Sequence, residues 1–259
     1  MSAKESLVSL TESQPSSVAS AWDRYSVAYQ NSARLGTDVV SYGPGFGNET
    51  EYRLLGSISG KRILDLGCGG GQAAIAMARA GAVAIGVDIS LEQLAYARRI
   101  LEQEENVRVE LKHGDLTELA FQRADSVDIV FSAFALQFVP DLNRVFRQVH
   151  RVLNNHGLFV FSVPHPFVAM TGAATAVLDR PGQLSLDPEP VALKRSYFDH
   201  SPIESQYQDS VFVEYHRSVS DVFTGLIRTG YRVDVILEPS GDGSSTIPQA
   251  LIVRARKEA

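Results

Sequence analysis

The chain has one cysteine, Cys68, in 259 residues, so it can form neither an internal disulfide nor a cysteine-built metal cluster. No stretch reaches the roughly 18 consecutive apolar residues of a membrane-spanning helix. The N-terminus, MSAKESLVSL, lacks the apolar core of a secretory signal, so no membrane association is expected and the expected compartment is the cytoplasm. Basic residues are in the minority, 24 Lys and Arg against 30 Asp and Glu, for a net charge of −6. No basic block stands out, and nucleic acid, whose binding rests on neutralising phosphates, is not an expected partner. The histidines include His113 and His165, but neither forms a metal-ligand spacing with nearby acids, so no metal is expected. What remains is 44% hydrophobic and 21% charged, ordinary for one large soluble domain with a sizeable core.

Against that plain background one stretch stands out, Lys61–Ser90, KRILDLGCGGGQAAIAMARAGAVAIGVDIS. Ile63, Leu64 and Leu66 form the short apolar run of a strand buried on both faces. Gly67, Gly69, Gly70 and Gly71 follow, where the backbone must turn sharply and let a ligand lie against it. A side chain at Gly69 is expected to fill the ligand's space. Gln72–Ala80 reads as a helix stopped by Gly81, and Ala82–Val87 as a second strand. That strand ends in Asp88, 21 residues after Gly67, the distance at which an acid takes the hydroxyls of a ribose.

The pattern departs from a dinucleotide site in two ways. Gln72 stands where a third glycine is wanted, and Asp65, two residues before Gly67, would repel phosphates and attract a cation. A ligand with a ribose at one end and an ammonium at the other satisfies both acids, and S-adenosylmethionine is such a ligand. Cys68 reads as a small filler in this loop, since no base adjoins it in sequence.

At DLGCGGG, Asp65–Gly71, with Asp88 downstream, the chain resembles the class I S-adenosylmethionine-dependent methyltransferases. The resemblance covers about Lys61–Val163. It implies a Rossmann-like α/β fold: a mostly parallel seven-stranded sheet with a terminal antiparallel hairpin and helices on both faces. It also implies S-adenosylmethionine as cofactor, S-adenosylhomocysteine as product, and methyl transfer to an oxygen, nitrogen or carbon of a small-molecule substrate. Two other readings stand beside it: an NAD(P)-dependent oxidoreductase on a related sheet, and a binding protein that keeps the cofactor without catalysis. A homodimer is left open. The Asn-Pro-Pro-aromatic motif of enzymes that methylate DNA or protein amides is absent, with Ser132-Ala133-Phe134-Ala135 in its place.

The rest of the chain is read around this core. Residues 1–17 are expected to be a mobile tail, and 18–259 a single domain with an N-terminal cap (18–58), a cofactor core (59–163), a substrate lid (164–217) and a closing helix and hairpin (218–259). Trp22, Tyr25 and Tyr29 share one face of a helix over Val18–Arg34. The segment AWDRYSVAYQ looks like the opening of ubiquinone-biosynthesis-type methyltransferases, where such a helix covers the site. Either it caps the cofactor, with Tyr29 nearest, or it simply packs on the core. Tyr42 precedes a glycine-rich turn that either links elements or carries Tyr42 to the methionine end of the cofactor.

Glu51–Ile58 is expected to be a short helix. Ser90 and Gln93 read as a capping box, with Gln93 and Ile89 near the ribose or adenine. Val107–His113 is a third strand, and Gly114-Asp115-Leu116 follows at its carboxyl end. The resemblance places Asp115 on the adenine amino group; the alternative is an Asp capping the next turn. Val127–Phe134 is a fourth strand whose exit, from Ser132 on, faces adenosine and substrate in the resembling family. A helix opened by Asp141 is ended by Gly157, where the fifth strand starts. After that strand His165, in SVPHPF, is the first candidate for a general base, with His216 and Tyr197 as weaker ones. Val219–Thr229 closes the chain's helices, and Tyr231–Glu238 and Ala250–Arg256 form an antiparallel hairpin.

Overall fold

The computed structural model describes residues 17–171, 192–240 and 247–258. The expected tail, except for Ser17, and the middle of the expected lid lie outside the described residues. Seven strands form the main sheet: β1 (Arg62–Leu66), β2 (Val83–Asp88), β3 (Val109–His113), β4 (Val127–Ala133), β5 (Leu153–Pro164), and a closing pair, β8 (Tyr231–Leu237) and β9 (Ala250–Lys257). Their order is β3-β2-β1-β4-β5-β9-β8. β1 to β5 run parallel, and β9 runs antiparallel to both β5 and β8. The expected sheet, with its terminal hairpin, is the one observed.

Alternation along each strand sends side chains to opposite faces. Leu64 and Leu66 of β1 join Ile85, Val130, Phe159 and Phe161 in one core layer. α5 (Leu142–Val152) and α7 (Val219–Thr229) cover that face through Val145, Phe146, Val149, Val222 and Leu226. Ile63, Ile129, Phe131 and Val160 face the other way, under Ala74, Ala76 and Met77 of α3 (Gln72–Arg79). α4 (Leu91–Leu101) follows β2, α2 (Glu49–Tyr52) precedes β1, and α6 (Pro166–Thr171) follows β5.

Several boundaries differ from expectation for local reasons. The helix before β1 stops at Tyr52, because Arg53 turns left-handed at φ 52 and its amide bonds back to the Glu49 carbonyl. β5 begins at Leu153, directly after α5, so Gly157 lies inside the strand. The capping box at α4 is half formed: Ser90 accepts the Gln93 amide, but the Gln93 side chain is engaged elsewhere. Within the expected lid, β6 (Ile203–Tyr207) and β7 (Ser210–Glu214) form a separate two-stranded hairpin.

α1 (Val18–Ala33) packs against α4 and β7. Its Trp22 ring stands 5.4 Å from Phe138, in the 3-10 turn Leu136–Phe138 after β4, and 5.1 Å from Phe212 of β7. Asp23 accepts from the Ser90 hydroxyl at 2.7 Å and from the Glu92 amide at 3.2 Å, which places its charge at the N-terminus of α4. One aromatic cluster thus joins the N-terminal helix, the exit of β4 and the hairpin.

Candidate active site

Strand order reverses between β1 and β4, and in open α/β sheets the carboxyl edge at such a point is a crevice. Here it is a cavity, walled by Asp65, the glycine turn, Asp88, Ile89, Asp115 and Leu116 on the sheet side. Trp22, Tyr29 and Gln30 wall it on the α1 side, and Phe134, Phe138, Val139 and Pro140 at the exit of β4.

Asp65 is 2% exposed, and its Oδ2 has no hydrogen-bond partner among the described residues. Burial and the nearby Asp88 push its carboxyl up to about 7, while the Ala74 amide, at the start of α3, pulls the other way. A buried carboxylate with one oxygen unpartnered at a cavity wall is costly unless a cation arrives. Asp88 is held differently. Its Oδ2 accepts the Gly69 amide at 2.8 Å and its Oδ1 the Ser90 amide at 2.9 Å. Burial raises its pKa, and those amides, with that of Ile89, partly offset the rise. Asp88 therefore shapes the glycine turn as well as facing the cavity.

The glycines differ in what they permit. A Cβ on Gly67 (φ +70) would lie 2.3 Å from the Ala135 Cβ, so no side chain fits there. A Cβ on Gly69 (φ +52) would meet only Gln30 Nε2 and Gln93 Oε1, each at 3.7 Å. The tightest approach at this loop is thus at Gly67, against the turn after β4. Cys68 packs into the space left by Gly86, whose added Cβ would stand 2.9 Å from Sγ. Burial, with Asp88 and Asp65 adding, pushes its thiol well up, as suits a filler and not a nucleophile.

Of the residues singled out in the sequence, Tyr29, Asp65, Gly67, Gly69, Asp88, Ile89, Gln93, Asp115 and Leu116 line this one cavity. Tyr29 is half-buried, and burial pushes its hydroxyl up to about 12, so it stays protonated. Asp115 lines the cavity but commits Oδ1 to the Thr117 amide and hydroxyl, at 2.7 and 2.8 Å, which is the turn-capping alternative.

Four residues fall elsewhere. Tyr42 is fully buried in the core, its ring against Phe131 and Tyr52 and its hydroxyl bonded to Glu49; Ser41 lines the cavity in its stead. Ser132 donates to the Leu66 carbonyl at 2.8 Å, just past the last β1–β4 pair, Asp65 with Phe131. Gly114 lies behind the wall, its amide on the Asp88 carbonyl. His165, the expected general base, lies outside the cavity altogether. Its Nδ1 accepts the Phe167 amide at 3.2 Å, and its Nε2 is 2.8 Å from Glu238 Oε1. The nitrogen that accepts cannot also take a substrate's proton, so this geometry gives His165 a structural role. His216 is likewise engaged, Nε2 on the Tyr197 carbonyl at 2.8 Å, and the Tyr197 hydroxyl accepts the Val219 amide at 3.1 Å. No histidine lines the cavity among the described residues.

Sequence reading missed Gln30. Its amide donates to Gln93 Oε1 at 2.7 Å and accepts from Gln72 Nε2 at 2.6 Å, all three side chains buried over the glycine turn. Gln30 carries no motif of its own; only its place beside Tyr29 on the aromatic helix hinted at it. Gln30→Ala leaves two buried amides unpaired, at about 1–3 kcal/mol each. It is expected to raise the cofactor Kd at least fivefold and lower the melting temperature. Calorimetry and thermal melts check this, and unchanged values would sever α1 from the loop.

The sheet order, the edge cavity, the acid at the end of β2 and the buried acid beside the glycine turn are together the arrangement that the sequence resemblance led one to expect. A methyltransferase domain model matches residues 64–161. The ubiquinone biosynthesis O-methyltransferase of Bordetella avium is 40% identical over 109 residues, 42% of this chain and 45% of that protein. The chain thus matches less than half the length of that relative. An uncharacterised protein of Haemophilus influenzae is 26% identical over 196 residues, 73% of this chain and 74% of its own. The crystal structure of an S-adenosylmethionine dependent methyltransferase from Mesorhizobium loti superposes with a TM-score of 0.65 at 28% identity, covering 79% of this chain and 94% of that one. In sequence over residues 64–161 and in fold, the chain is similar to the class I S-adenosylmethionine-dependent methyltransferases, and this likeness supports S-adenosylmethionine as its cofactor.

Proposed function

We propose that this chain transfers the methyl group of S-adenosylmethionine to an oxygen, nitrogen or carbon nucleophile of a small metabolite. The observation that carries the reading is the pair of acids in one cavity: Asp65, buried with its Oδ2 unpartnered among the described residues, and Asp88, fixed to the glycine turn. Asp65 would face the cofactor's ammonium and Asp88 its ribose hydroxyls. Ile89, Leu116 and Gln93 would flank the nucleoside, with Asp115 at its adenine end. Bound there, S-adenosylmethionine supplies a methyl group already activated by the sulfonium charge.

The chain's own residues then align the acceptor and exclude water. Trp22, Tyr29, Phe134 and Phe138 supply aromatic faces, which favour a cationic sulfonium. The same apolar wall suits an acceptor with an apolar or aromatic body. With His165 bound to Glu238, an acceptor that must lose a proton would lose it to water or to a group of its own. We place the activity in the cytoplasm; among the described residues no helix is long and apolar enough to cross a membrane.

The test is formation of S-adenosylhomocysteine across a panel of phenols, amines and activated carbon acids, with binding of S-adenosylmethionine and of NAD(P)H measured in parallel. Turnover of any panel member supports the proposal. S-adenosylmethionine binding without turnover on any acceptor would favour the non-catalytic reading, and preference for NAD(P)H the oxidoreductase one. Asp65, with its bare Oδ2, argues against that last outcome, since a carboxylate there repels pyrophosphate.

A further inference from the structure

Behind the 3-10 turn Leu136–Phe138 lies a second cavity. Phe138 and Val139 face the cofactor cavity, while Leu136 and Gln137 face this one. Its walls are largely apolar, from Phe161, Val163 and Leu251 of the sheet and Ala169 of α6. Into this apolar space comes Glu214, the last residue of β7 and 4% exposed. Its carboxylate has no hydrogen bond or ion pair among the described residues. Beside it, the Gln137 Oε1 is buried and unpartnered, because the amide's nitrogen donates to the Phe134 carbonyl at 2.8 Å.

The donors that reach this cavity are engaged elsewhere. His165 Nε2 is on Glu238 and His216 Nε2 on the Tyr197 carbonyl. The Arg217 guanidinium is on the carbonyls of Tyr215, Val139 and Pro140. Among the described residues, none of these side chains bonds to Glu214 or to Gln137 Oε1. Buried polar oxygens are costly unless paired, and a ligand bearing several N–H groups would pair both.

We propose that this second cavity binds a small organic ammonium, its N–H groups on Glu214 and Gln137 and its apolar body against Leu136, Val163 and Leu251. The site stands independently of the methyltransferase reading. Burial alone pushes the Glu214 carboxyl up to about 8, and no neighbouring charge offsets it. Burial also holds His165 and His216 below the usual imidazole range, so near neutrality neither adds a positive charge. A bound ammonium is the group that would return Glu214 to its ionised form.

The test uses n-butylammonium as probe, with n-butanol as its neutral counterpart, followed by methyl resonances of Leu136, Val163 and Leu251. Saturable shifts are expected with n-butylammonium and much smaller ones with n-butanol. Glu214→Gln, checked for folding by its melting temperature and cofactor binding, is expected to weaken the ammonium at least tenfold. Asp65→Asn, which alters only the other cavity, is expected to leave it unchanged. Equal response to butanol and butylammonium in the wild type overturns the proposal whether or not the variant folds, and so does equal binding by a folded Glu214→Gln.

Discussion

Asp65→Asn is expected to make the unliganded protein more stable and the cofactor complex much weaker. The carboxyl of Asp65 sits near 7 in the folded chain against an ordinary 3.8. A carboxyl raised by folding favours the folded state below its unfolded pKa, and that advantage is lost as pH climbs through the folded value. The wild type therefore loses stability between about pH 4 and 7, by an amount on the order of 4 kcal/mol if the whole shift is expressed. The Asn variant escapes that loss. Its melting temperature should equal the wild type's near pH 4 and exceed it at pH 8, at about 2–4 °C per kcal/mol for a chain of this size.

Cofactor binding should move the other way. Removing one partner of a buried charge pair costs about 2–5 kcal/mol. In the wild type, affinity should fall about tenfold per pH unit below 7, because the ammonium needs an ionised Asp65. In the variant that dependence should flatten. Thermal melts and calorimetry across pH 5 to 8 check both arms, and a destabilised variant with wild-type affinity would remove Asp65 from the cofactor's reach.

Gly67→Ala is expected to be the most damaging single methyl group that can be added to the loop. The new Cβ falls 2.3 Å from the Ala135 Cβ, at a residue held at φ +70. Overpacking costs about 1–3 kcal/mol, and the left-handed backbone adds roughly 1–2 kcal/mol for a non-glycine residue. Relief must come by moving the turn after β4, whose Phe138 walls the cavity, so cofactor binding should fall with stability. Adding Ala135→Gly should restore the packing part and leave the backbone part. Gly69→Ala, with its nearest contacts at 3.7 Å, should cost only the backbone part in the unliganded protein, whatever it does to the cofactor. Urea melts of the wild type and these three variants separate these contributions. A Gly67→Ala variant as stable as Gly69→Ala would show that the turn yields freely.

The sheet was legible because its strands announce themselves: apolar runs ending in Asp65-Leu66, Asp88 and Ser132, with glycines where the chain reverses. The cavity's sheet-side wall was legible for the same reason, since residues at the carboxyl ends of β1, β2 and β3 must meet at one edge. Residues carried there by loops were not legible. Tyr42 and Ser41 are neighbours, and only the fold decides which faces the cavity; here Glu49 holds the Tyr42 hydroxyl in the core. His165 leaves the right strand at the right edge, yet Glu238, 73 positions away in sequence, claims its Nε2. Gln30 and Glu214 matter through partners, or the lack of them, on distant segments, and no local pattern records that.

If the cavity holds S-adenosylmethionine, its ammonium should meet Asp65. Calorimetry of wild type and Asp65→Asn against S-adenosylhomocysteine and 5′-methylthioadenosine, which keeps the nucleoside and thioether but lacks the amino acid, tests it most directly. Asp65→Asn is expected to weaken S-adenosylhomocysteine by the roughly 2–5 kcal/mol of a broken buried pair, or about 30-fold or more. 5′-Methylthioadenosine is expected to bind both proteins alike. An equal loss for the two ligands would contradict it and place Asp65 away from the ammonium.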